Sequence, residues 1–510
     1  MNRNSSRVRA RLLALILATV LATGPTYLAA QAPKKGGTLT VALETEVVGF
    51  DAVKGGVLGI SGEIALRAVQ ESLITANQEG EFTPQLATEW KASADGKSWT
   101  FKLRPGVKFH DANELTAEDV AHHYNRILDP VNKSASRTFI TPIKGAKAID
   151  KHTVEFELEH AWLPFLPVIA STGMIGPIPS KANVTADKQQ RHPVGTGPYV
   201  FQSWQSGDRI VVKRNPDYWN KDHVYLDEVV FRILPDTQTR YASLLSGQVD
   251  IIWTDRGATI HQGLKEKSIV SHVAEGAGME FTLLNTRNEP LKDQRVRAAL
   301  AHAYNQDAII NVSWEKTRPA VTHPFGPMIN CGEVKYRKYD PNKAKQLLAE
   351  YGKPVKTNII VTATPRGREA GEIPQQMFKA VGIELEIQPV DQVTLVQRVL
   401  SRNYSMSGWR VADGLDLSPQ IYALVHSKSS YNLGGYSSPE LDAMADEMRT
   451  TNDRKRQHEL LCKIMEVVNE QALFLYRGGG RHYAFARPRV KNLPHIWRGF
   501  IDVTSVWLEQ

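Results

Sequence analysis

GTGPYVFQSWQSGDRIVVKRNPDYW, residues 195–219, is the stretch on which the reading of the fold turns. Gly195-Thr196-Gly197-Pro198 makes a turn, a half-buried strand pair follows, and Asn215-Pro216-Asp217 breaks the chain before Tyr218 and Trp219. Nothing in it has the company that catalysis needs. Tyr199, Trp204, Tyr218 and Trp219 have the makings of a stacking platform, but the pattern favours core and inter-strand packing. The segment is scaffold.

Outward from it, strands alternate with helices. Thr38 to Leu43 reads as a strand with Leu39, Val41 and Leu43 on one face, and Ser61 to Ser72 as the first helix. Lys97 to Phe109 reads as a hairpin turning at Arg104-Pro105-Gly106. Thr116-Ala117-Glu118-Asp119 resembles a capping box opening a helix with Val120, Tyr124 and Ile127. Thr153 to Leu158 is another half-buried strand. A helix closing through Arg240 to Leu245 stops at Gly247, and Val249 to Ile252 is then a strand. Asp340-Pro341 and Ser438-Pro439 each pair an N-cap with proline at the first helical position. Arg454 to Val468 is a long amphipathic helix, and Gly478-Gly479-Gly480 is expected to break the chain before a strand-rich tail. The mixture is α/β with several sheets.

The chain has 510 residues, 42% hydrophobic and 23% charged, enough for two or three domains. Arg3, Arg7, Arg9 and Arg11 precede an apolar run from Leu12 to Ala22, which is too short to span a bilayer. Small residues follow, with Ala29-Ala30 and Ala32 as candidate cleavage positions, so residues 1–30 read as a Sec-type signal peptide. Its four arginines, with no acid, account for the fall in formal charge from +8 to +4. No dense basic run carries interleaved aromatics, so nucleic-acid binding has no support. A second apolar stretch, Ala161 to Pro179, carries Pro164, Pro167, Pro177 and Pro179 and reads as buried and irregular rather than membrane-spanning. Cys331 and Cys462 meet an oxidising compartment if exported; sequence leaves open whether they pair.

Chemistry-bearing motifs are absent: no GxGxxG, no Walker lysine, no GxSxG. His110-Asp111 reads as turn, Glu118 and Asp119 as first-turn acids favouring the helix dipole, and His122-His123 lack metal spacing. No metal and no cofactor are expected.

Four further blocks stand in order. They are Leu86 to Trp90 with Asp95 to Phe101; Leu103 to Asp111 with Leu115 to Val120; Asn285-Thr286 with Asp293 and Arg295 to Leu300; and Tyr339-Asp340-Pro341 with Ala344 to Leu348. With residues 195–219 they resemble the family 5 extracellular solute-binding proteins, the dipeptide, oligopeptide and nickel group that feeds ABC importers. The resemblance implies a periplasmic-binding-protein clamshell (type II-like), two lobes with an extra inserted subdomain. Lobe I would comprise 36–70, 193–276 and 481–510, the inserted subdomain 71–192, and lobe II 277–480. The crossings near residues 276–278 and 478–480 would be the hinge.

The same resemblance implies a periplasmic receptor that binds a short peptide between the lobes and delivers it to permease subunits by hinge closure. No enzyme activity is expected, and a monomer is. Non-peptide solutes are the alternative: an opine-like amino-acid conjugate, a nickel chelate or an oligosaccharide. An exported hydrolase, suggested by paired carboxylates, is the remote one. In peptide-binding relatives a Trp-x-x-Asp places a carboxylate against the ligand's α-ammonium group. Here Trp409 is followed by Asp413 and Asp416, at altered spacing, and either fits the role. An arginine that clamps the ligand carboxylate is Arg366 or Arg368. Tyr431-Asn432, Ser171 to Met174, and Glu44 to Asp51 complete the expected cleft lining.

Overall fold

The computed structural model describes residues 32–509, except 56–58, 78, 172, 174, 326–328, 333, 411–414 and 494–500 and the side chains of 276–278. The elements lie in the unit Lys35–Gln510. The chain runs through β1 (Thr38–Leu43) and α1 (Ile60–Val69) into an antiparallel sheet. Its strands are β2 (Ala87–Ala92), β3 (Ser98–Leu103), β4 (Ile143–Asp150) and β5 (Thr153–Leu158), in the order β2-β3-β5-β4, with α2 (Ala117–Leu128) packed on it. The chain then returns through β6 (Tyr199–Gln205), β7 (Arg209–Arg214), β8 (Glu228–Ile233), β9 (Ile251–Thr254) and the long β10 (Val270–Leu284). There follow β11 (Val355–Thr362), α3 (Pro365–Lys379), β12 (Ile383–Val390), α4 (Gln392–Leu400), β13 (Met406–Arg410), α5 (Ser418–Val425), α6 (Arg454–Glu470) and β14 (Phe474–Ala486).

Ten of these strands make one curled sheet, in the order β12-β11-β13-β10-β14-β9-β1-β8-β7-β6. β1 lies parallel to both β8 and β9. A strand with parallel neighbours on both sides is covered on both faces. Leu39, Val41, Ala42 and Leu43 are accordingly all buried, rather than one face alone.

The predicted strand pair at 199–214 is β6 and β7, and the Gly195–Pro198 turn packs against the end of α1. Its aromatics are anchored as well as packed. Glu71 accepts from Tyr218 Oη at 2.7 Å and from Thr196 Oγ1 at 2.8 Å, while Trp219 Nε1 lies 3.2 Å from both its carboxylate oxygens. The capping box forms: Thr116 N donates to Asp119 Oδ2 at 3.0 Å. Asp340 and Ser438 cap their helices as expected. His110 and His123 meet the backbone carbonyls of Gly197 and Ile175, which is structural work.

Two expectations are corrected. The hairpin arm Val107–Phe109 forms no named strand; β3 pairs instead with β2 and β5, and the arm folds back on Asn113–Leu115 through a single antiparallel bridge between Lys108 and Glu114, with Val107 and Phe109 buried. The triple glycine does not break the chain. It lies inside β14, opposite β10, at register shifts between Glu275 and Ala277, Ala277 and Met279, and Glu280 and Phe281. Glycine is required there: Gly478 has φ +128°, and a Cβ would come within 2.4 Å of the Trp314 ring.

Among the described residues of 161–179 the regular structure is the short helix Phe165–Ile169, with Phe165 and Ile169 buried. No helix among the described residues is long and apolar enough to cross a membrane. Cys331 and Cys462 form a disulfide with Cα atoms 5.4 Å apart.

Candidate functional site

β10 and β14 carry the chain between the two halves of the sheet, and a cavity of about 360 Å³ opens beside them. That size suits a pocket for a small ligand, for which roughly 300–1,000 Å³ is usual. One side is built by the first turns of α1 (Ile60, Ser61, Glu63, Ile64), by Glu44 and Thr45 after β1, and by Phe139, Ser171 and Gly173. The other side is built by the end of β11, the first turns of α3 and α4, and Trp409 at the end of β13. Strand ends and helix starts converge there because each β-to-α connection in the parallel part of the sheet opens on the same edge.

One end of the cavity is aromatic. Tyr431 meets Phe139 edge-to-face with centroids 5.1 Å apart, and Trp409 Nε1 donates to Tyr431 Oη at 3.3 Å. Burial pushes the Tyr431 phenol up to about 12, so it stays a neutral donor and acceptor. Around this end the antiparallel-sheet segment reaches across to α5 and beyond. The Thr138 and Ser429 hydroxyls lie 2.9 Å apart, and Arg449 Nη1 donates to Thr141 Oγ1 at 2.7 Å.

The opposite end is ionic. Arg366 donates to Asp255 and to Glu280, both at 2.7 Å, and Arg318 also donates to Glu280 at 3.0 Å. Arg256 joins Asp255 at 3.0 Å to Glu369 at 2.8 Å, and Glu369 also accepts from Ser313. Glu44 stands 3.8 Å from both Arg240 and Arg366, a charge contact rather than a hydrogen bond. Burial would raise the Asp255 carboxyl, but Arg256, Arg366 and Arg318 hold it well below the usual carboxylate range. Burial would lower Arg366, but Asp255, Glu280 and Glu44 hold it well above the ordinary value. Asp255 and Arg366 are therefore charged.

Most of the sequence-derived candidates fall among the described residues. Trp409 and Tyr431 share the cavity wall. Arg366 lines it too, but its guanidinium is already engaged by two carboxylates rather than held open as a clamp. Arg368 is exposed and off the wall, since two residues along a helix turn the side chain by about 200°. Asp416 lines the wall while accepting from Ser418 N at 2.9 Å, Ser418 Oγ at 2.7 Å and Arg454 at 2.6 Å, which fixes the turn leading into α5. Asn432 is buried off the wall and staples its loop, bonding Tyr436 O at 2.8 Å and Gly435 N at 2.9 Å. Asp51 pairs with Arg126 instead of facing the cavity. Met174 and Asp413 lie outside the described residues, as does the signal-peptide segment 1–30.

Sequence reading missed Phe139, Glu63, Glu280 and Arg477, all on the wall. Glu280 and Arg477 sit in long apolar strands, and a charge inside such a run was the signal available.

With this geometry established, likeness to known proteins narrows the reading. The model of the bacterial extracellular solute-binding proteins, family 5 (middle), matches residues 81–432. The "Dipeptide-binding protein" of Escherichia coli K12 is 28% identical over 429 residues, covering 77% of this chain and 80% of that protein. The "Nickel-binding periplasmic protein" of the same organism is 24% identical, covering 84% and 86%. Among solved structures, the ABC transporter-associated periplasmic binding protein DppA from Helicobacter pylori, in complex with the peptide STSA, superposes with a TM-score of 0.84 at 26% identity, covering 94% of this chain and 99% of that one.

Proposed function

The chain belongs to family 5 of the bacterial extracellular solute-binding proteins, and from that premise we propose that it is the periplasmic receptor of an ABC importer, taking up a short peptide in the cavity between Trp409 and Arg366. The family is one of binding proteins with a two-lobed clamshell fold. The observation that carries the reading is the cavity itself: one pocket walled by α1 and β1 on one side and by α3, α4 and Trp409 on the other. A ligand that touches both walls gains contacts only when the walls are together, and that difference drives closure.

The lobes are those of the sequence reading. Lobe I is 36–70, 193–276 and 481–510, the inserted subdomain is 71–192, and lobe II is 277–480. One apolar core supports this division, because its buried members come only from Leu39 to Val69, Tyr199 to Ala274 and Ala484 to Leu508. The bulged, glycine-bearing stretches of β10 and β14 are the hinge. Trp409 and Tyr431 contact the solute, Asp413 or Asp416 faces its ammonium end, and the closed monomer docks on permease subunits after export by a Sec-type signal. No turnover is part of this role.

The test is thermal and chemical unfolding against a panel of dipeptides, longer peptides, amino-acid conjugates, sugars and metal chelates. A ligand present at 100 times its Kd adds about 2.7 kcal/mol to stability. Stabilisation by a sugar or chelate and by no peptide would replace the peptide with that solute. Steady product formation from peptides or glycosides would overturn the receptor role.

A further inference from the structure

We infer that Cys331, His458 and Cys462 form a redox-gated zinc site, shut while the two cysteines are joined and open to one Zn2+ once their disulfide is reduced. None of the three lines the cavity, so the site is independent of solute binding. His458 and Cys462 stand four residues apart on α6 and share one face of it. Cys331 reaches that face from the segment before Pro341, with its Cα 5.4 Å from that of Cys462. Both sulfurs and an imidazole nitrogen lie within 4.8 Å of one another. His458 Nε2 is 3.7 Å from Cys462 Sγ. With Zn–S of about 2.3 Å and Zn–N of about 2.0–2.1 Å, the N···S edge of a tetrahedral zinc site is about 3.6 Å. The ring therefore already stands where a zinc ligand would.

The segment has other fastenings than the disulfide. Asn469 Nδ2 donates to Lys335 O at 2.9 Å and Arg337 Nη2 to Glu470 O at 2.6 Å, both at the far end of α6. Cutting the S–S bond therefore leaves both sulfurs beside the ring. The cysteines are half-buried and His458 is exposed, so a reductant and a cation have a way in. A dithiol donor supplies two electrons and two protons, leaves as its own disulfide, and turns the S–S bond into two thiols. Zn2+ then displaces both thiol protons. His458 Nε2 donates to Asn330 O at 2.9 Å while the disulfide is intact; as a ligand it is the lone-pair nitrogen, with the ring proton on Nδ1. Two thiolates and an imidazole suit Zn2+, whereas Mg2+ and Ca2+ take oxygen ligands. The fourth position is left to solvent. Bound Zn2+ makes the cross-link between the segment and α6 that the disulfide made.

The experiment is titration of the mature protein with Zn2+ in competition with a chromophoric chelator, and with Co2+ as a spectroscopic probe, before and after reduction by a phosphine. The phosphine takes the oxygen of one water and leaves two thiols. Reduced wild type should bind one equivalent of Zn2+ and show thiolate-to-Co2+ charge-transfer absorption; the disulfide form should show neither. Reduced His458→Ala should lose more than about 100-fold in Zn2+ affinity, since outer-shell partners alone are worth roughly 10–100-fold. Zn2+ should raise the melting temperature of the reduced wild type and leave that of Cys331→Ser with Cys462→Ser unchanged. If the reduced, metal-free protein has no melting transition, Zn2+ should restore one, and failure to do so overturns the inference. Equal Zn2+ uptake by the reduced and disulfide forms, a Co2+ complex without charge-transfer absorption, or an unchanged affinity in His458→Ala also overturns it.

Discussion

Glu71, just beyond α1, sits beneath Tyr218, Trp219 and Thr196, and burial pushes its carboxyl up from 4.5 to about 7. The hydrogen bonds and Arg104 pull the other way without winning. Between those two pH values the folded chain holds a proton that the unfolded chain has released. Stability is therefore fullest below pH 4.5 and falls as pH rises through 7, by about 3 kcal/mol from this group. Glu71→Gln should remove that slope; denaturant titrations at pH 5 and pH 8 would differ by about the same amount less in the variant, and an unaltered slope would place the titration elsewhere. Single residues were also where sequence reading was weakest. Trp409 and Tyr431 were legible because an aromatic residue at a strand end or loop has few other uses. Choosing between Arg366 and Arg368 needed the helical phase of α3, which only its packing fixes. Nothing local in the sequence joins Glu71 to Trp219, 148 residues away.

Elements were far more legible, because capping and periodicity are local. α2, α6 and the helix Pro341–Tyr351 begin where their Thr116, Asp453 and Asp340 caps require. What failed at this scale was partnership: the Val107–Phe109 arm has strand alternation but meets Asn113–Leu115 in a single bridge rather than β3, and the triple glycine reads as a terminator while it serves a bulge. Partnership also decided the cysteines. Cys462 on α6 reaches Cys331 across 131 residues, and a closed loop of that length restricts the unfolded chain. Reduction, or Cys331→Ala with Cys462→Ala, should destabilise the protein by about 2–5 kcal/mol. Urea midpoints with and without reductant measure it, and coincident curves would mean the bond adds no stability.

At the scale of the molecule, the division into α/β lobes around one sheet was readable from the order of motifs, while the cavity was not, since its walls come from segments hundreds of residues apart. The contact of Thr138 with Ser429 belongs to this scale. It touches no cavity surface, yet it holds the antiparallel-sheet segment against the loop that carries Tyr431. Thr138→Val removes about 1 kcal/mol from the closed arrangement and should weaken the affinity for any solute up to about fivefold by lowering the closed population. Calorimetric Kd values for variant and wild type check this; equal values would separate the contact from closure. The two long strands have a further consequence. β10 and β14 are ladder neighbours, so the proposed hinge is a strip with a single bending axis and not a ball joint. The motion then has one coordinate. A single pair of dyes placed across the cleft suffices to follow it, and pairs placed anywhere along the rims must report the same fraction shut at every solute concentration.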